Sequence, residues 1–119
     1  MKHFKHNEAA KPDFFINVYG GISKNEFDKH VNDLLLKDGY ILNEGTTGEG
    51  VYTKGNRAMR ILFGAFVKYY KFNIKTESSS EDEVKLTVVK SSSGMSGGVI
   101  GVNQVKKELI RLADVFTAI

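Results

Sequence analysis

The sequence predicts an α+β domain: an antiparallel sheet of four to five strands with two helices packed on one face, in the order β-α-β-β-β-β-α. Three observations carry this. A capped amphipathic helix occupies residues 24–38. Two adjacent segments, 68–76 and 84–89, alternate apolar and polar residues with period two. An apolar seam runs through the last eighteen residues at 3-4-3-4-3 spacing.

Residues 1–13 are polar, rich in Lys and His, and close on Pro12. They read as a flexible N-terminal tail, leaving 14–119 as a single domain. Phe14 to Tyr19 is a short strand with apolar residues on both faces, stopped by Gly20-Gly21. Ser23 to Glu26 is a capping box: the Ser23 hydroxyl is expected to accept from the Glu26 amide and the Glu26 side chain to reach back. Phe27, Val31, Leu34 and Leu35 then recur on one helical face, and Gly39 stands where a left-handed cap ends the helix.

Tyr40 to Glu44 and Val51 to Lys54 are strand candidates, separated by a glycine-rich turn over Gly45–Gly50. Residues 57–67 fit a buried strand or an exposed amphipathic segment. Residues 68–76 form a half-buried strand, Ser78 to Glu83 an acidic turn, and Val84 to Val89 the strand paired with it. After a Ser/Gly-rich stretch, Val102, Val105, Leu109, Leu112, Phe116 and Ile119 line one side of a terminal helix. That seam packs on the chain's own sheet, or serves as a partner-helix surface in an assembly.

Length and composition exclude several classes. A chain of 119 residues makes one domain and buries enough surface for a core without covalent staples. With no cysteine there is no disulfide, thiol nucleophile or Cys-ligated metal. That fits a cytoplasmic location, and the N-terminus lacks the apolar stretch of a signal peptide. The longest strongly apolar run, Ile61–Val67, is far short of the roughly 20 residues needed to span a bilayer.

Gly94-Met-Ser96-Gly-Gly98 matches G-x-S-x-G. A nucleophile elbow takes its base from a later histidine, and His3, His6 and His30 all precede Ser96. The carboxylates are scattered over turns and helix faces, and His3-x-x-His6 has no third ligand. No enzyme, no metal and no cofactor is therefore expected.

Charge is the informative feature. The net charge is +3, yet the stretch between Glu49 and Glu77 carries six basic residues and no acid. The remainder of the chain thus sums to 3 − 6 = −3. Lys54, Arg57, Arg60, Lys68 and Lys71 are the expected anion contacts, with Phe63 and Phe66 as surface contacts beside them. Two functions follow. One is a small non-catalytic binding or accessory domain that meets an anionic membrane surface or nucleic acid through this strip. The other is a protein-interaction or homodimeric assembly module using the terminal helix.

Overall fold

The computed structural model describes residues 3–55, 69–80, 82–91 and 98–119, with the backbone alone at 69 and 98–102. Among these residues, six strands form one antiparallel sheet: β1 (Phe4–Ala10), β2 (Phe14–Gly20), β3 (Ile41–Thr46), β4 (Glu49–Gly55), β5 (Tyr69–Ser80) and β6 (Glu83–Lys90). Helix α1 spans Lys24–Lys37, and helix α2 spans Gly98–Val115, ending in a 3-10 turn at Phe116–Ala118. The spatial order of the strands is β1-β2-β6-β5-β4-β3. The α+β class holds. The expected four to five strands become six, because the segment read as a tail supplies β1.

The reason lies in the composition of β1. Its sequence, FKHNEAA, has one large apolar residue and five exposed positions. Its pairing with β2 shifts register between Phe4 and His6 and again between Asn7 and Ala9, which erases any period-two signal. It is held by other means. The Phe4 ring packs edge-on against Tyr19 at 5.6 Å. The His3 and Phe4 amides both donate to the Ile119 carbonyl, at 2.7 and 3.0 Å. Lys5–Glu83 and Lys85–Glu8 ion pairs bridge β1 and β6. A charged, bulged strand suits an outer edge, where it discourages pairing with another chain.

Helix α1 starts and stops where the sequence places it. Ser23 Oγ accepts from the Glu26 amide at 3.2 Å. At the other end Tyr40 N–H donates to Leu35 O and Gly39 N–H to Leu36 O, with Gly39 at φ 99°. This is a Schellman closure, which needs the left-handed backbone that glycine adopts without a Cβ penalty.

The glycine-rich turn is tighter than expected. β3 and β4 run on through most of Gly45–Gly50, and the connection shrinks to Thr47-Gly48. Gly48, at φ 77°, sits against α1; a Cβ there would lie 2.7 Å from the Asp28 Cα.

Strand register puts Phe15 opposite Val88, Tyr19 opposite Val84, Ile74 opposite Val88 and Tyr52 opposite Phe72. These residues share one face of the sheet. Phe27, Val31 and Leu35 of α1 and Val105, Leu109 and Leu112 of α2 join them in a single buried cluster, so both helices cover that face. Buried polar groups are paired: Tyr19 donates to the Phe116 carbonyl at 2.8 Å, and Tyr52 to Asn32 at 2.6 Å.

Candidate functional site

The charge-rich stretch emerges at one end of the β4–β5 hairpin. Register pairs Lys54 with Tyr70, Thr53 with Lys71 and Gly55 with Tyr69. Side chains alternate along a strand, so Lys54 projects on the helix side and Lys71 on the face opposite the helices, in line with the exposed Lys75. The strip is therefore divided between two faces around one hairpin end. Arg57, Arg60, Phe63, Phe66 and Lys68 lie outside the described residues, as do the alternatives for 57–67. The segment that carries them leaves at Gly55 and returns at its register partner Tyr69.

On the helix side, Lys54 Nζ lies 3.5 Å from Asp38 and 5.5 Å above the centre of the Tyr40 ring. Asp38 is the C-cap of α1, and Tyr40 follows it across Gly39. Both connect to α2. Arg111 takes Asp38 with Nη1 (3.0 Å) and Nη2, and takes Glu108 with Nε (2.7 Å) and Nη2 (2.8 Å). The Tyr40 hydroxyl donates to Glu108, which is 6% exposed. A cleft of about 480 Å³ opens beside this group, lined by Lys54, Gly55, Tyr70, Gln104, Lys107, Glu108 and Arg111.

The electrostatics follow from these contacts. Hydrogen bonds from Arg111 hold the Asp38 carboxyl below its ordinary range. Burial, reinforced by the Glu108 carboxylate, raises the Tyr40 hydroxyl far above its usual range and keeps it a donor. Arg111 is held charged by Glu108 and Asp38. Four of its five N–H groups are used by these two carboxylates. Arg111 thus clamps α1 to α2, whereas Lys107, exposed on the cleft wall, has no ion pair among the described residues. Three cations (Lys54, Lys107, Arg111) face two carboxylates here (Asp38, Glu108). What the arrangement offers chemically is positive potential at the rim and fixed hydrogen bonds behind it.

The terminal seam has a different position. Val105, Leu109, Leu112 and Phe116 are buried in the chain's own core; the Val102 side chain lies outside the described residues. Ser96 and most of its G-x-S-x-G motif are also outside them. His3, read as part of a tail pair, donates through Nδ1 to the Gly20 carbonyl at 2.9 Å. Among the described residues no three His, Asp or Glu side chains gather as a metal site.

Sequence reading missed Asp38, Tyr40, Lys107, Glu108 and Arg111 as one constellation. A partial signal existed: Gln104, Lys107, Glu108 and Arg111 repeat at i, i+3, i+4, i+7, a polar stripe on α2 beside its apolar seam. Nothing local linked that stripe to residues 38 and 40.

No family model, no curated protein and no solved structure matches this chain. No helix among the described residues is long and apolar enough to cross a membrane.

Proposed function

We propose that this domain is a non-catalytic binding module that docks on an anionic membrane surface in the cytoplasm through the cationic end of the β4–β5 hairpin. The observation that carries the reading is the Gly55–Tyr69 register. It brings Lys54, Lys71 and both ends of the segment bearing Arg57, Arg60 and Lys68 to one edge of the fold, with Lys107 on the adjoining cleft wall. The same segment carries Ile61–Val67, with Phe63 and Phe66, between Arg60 and Lys68. Cations flanking aromatic and aliphatic residues suit the boundary between headgroups and acyl chains. That composition favours a lipid surface over nucleic acid, for which rings would have to serve as base-stacking platforms.

Each cation held near an anionic leaflet contributes about 1 kcal/mol. The triple variant R57Q/R60Q/K68Q should therefore lower partitioning onto phosphatidylserine vesicles at least tenfold without changing the urea midpoint. Partitioning should fall steeply with salt and be absent on phosphatidylcholine vesicles. No partitioning onto phosphatidylserine at low salt would overturn the proposal. Binding to a single-stranded oligonucleotide but not to vesicles would transfer the strip to nucleic acid.

A further inference from the structure

Helix α2 presents a second stripe at the same helical spacing, Lys106, Leu109, Ile110 and Ala113, on its other flank. Between this stripe and the β1–β2 turn lies a groove of about 360 Å³, whose walls include Ala10, Pro12, Phe15, Leu109, Ile110 and Ala113. Phe15 and Leu109 are buried core residues and form its floor; Ile110 at its mouth is 73% exposed. Lys11 and Lys106 also line the groove, and among the described residues neither has an ion pair. The nearby Asp13 is occupied by Lys90 at 3.0 Å.

We propose that this groove binds one single-chain anionic amphiphile of the fatty-acid type, its alkyl chain on the Phe15–Leu109 floor and its carboxylate between Lys11 and Lys106. An apolar lining favours a chain without polar groups, since a polar ligand would lose its hydrogen bonds to water there. The volume is near the lower end of the roughly 300–1,000 Å³ of small-molecule clefts, enough for one chain and small for a two-chain lipid. Two rim lysines without an ion pair among the described residues select an anionic end over a neutral one. The groove lies on the opposite flank of α2 from the cationic cleft. It shares no residue with the vesicle-binding proposal, so either can fail alone.

The test uses the full chain, titrated with saturated carboxylates of eight to twelve carbons below their micellar concentrations. Saturable binding of one ligand per chain is expected. Affinity should rise about threefold per added methylene until the groove is full, somewhat less than complete burial of each group would give. Ile110→Asp, at an exposed position, should weaken dodecanoate binding at least tenfold with an unchanged urea midpoint. The pair K11Q/K106Q should weaken dodecanoate several-fold while leaving dodecanol unaffected, and Lys71→Gln should change neither. Absence of saturable binding, equal affinity for dodecanol and dodecanoate, or indifference to Ile110→Asp would each overturn the proposal. A dimer in sedimentation that Ile110→Asp dissolves, without carboxylate binding, would reassign the groove to a second copy of the chain.

Discussion

Arg111→Leu removes the clamp between the two helices, and its cost can be worked from the contacts. Glu108 is 6% exposed and would lose two hydrogen bonds, at 2.7 and 2.8 Å, retaining among the described residues the one from Tyr40. Breaking a fully buried ion pair costs roughly 3–5 kcal/mol, because an uncompensated charge remains. The Arg111 side chain, however, is 42% exposed, and Asp38 keeps Lys54. Solvent screening brings the expected loss down to about 2 kcal/mol. In a chain of this length that corresponds to roughly 8 °C in Tm. Urea and thermal unfolding at pH 7 measure it directly. Glu108→Gln should cost less, about 1 kcal/mol, since an amide oxygen still accepts from Tyr40 and Arg111. The double variant E108L/R111L should be more stable than R111L alone, because it leaves no buried charge behind. An R111L protein within about 0.5 kcal/mol of the parent, a typical shift for a neutral surface change, would refute the reasoning.

Three further outcomes are expected. Ser23→Ala leaves the Glu26 amide without its acceptor and should cost about 1 kcal/mol in urea unfolding; an unchanged midpoint would mean the cap contributes nothing. Leu112→Ala opens a cavity under a fully buried side chain and should cost about 2–5 kcal/mol, with a Tm independent of protein concentration. Stability should also decline in acid. Asp38 is held low by Arg111 and Glu49 by Lys24, so the folded state binds these protons more weakly than the unfolded chain. Their contribution is complete above about pH 5.5, clear of the ordinary Asp and Glu values, and disappears as pH falls through the lowered values. Asp38→Asn should reduce stability at pH 7 and shallow the acid decline; an identical acid profile in D38N would count against it.

The sequence by itself determined the features that depend on neighbours in the chain. Ser23, Glu26 and Gly39 define α1 because caps act within one turn. The alternation around Tyr70, Phe72 and Ile74 and around Val84, Leu86 and Val88 marks β5 and β6 because period two reflects which face is buried. The spacing of Val105, Leu109, Leu112 and Phe116 marks α2 for the corresponding helical reason. Tertiary structure decided the rest. β1 exists through ties to Tyr19, Glu83 and Ile119, residues distant in sequence, so its polar, bulged string carried no local sign. Alternation across β4 and β5 split a strip that reads as continuous, placing Lys54 beside Asp38 and Tyr40 and Lys71 on the far face. The clamp joining Asp38 and Tyr40 to Glu108 and Arg111 spans about seventy residues, and the lysine-rimmed groove joins the β1–β2 turn to α2. Both are made by contacts that exist only once the helices share one face of the sheet.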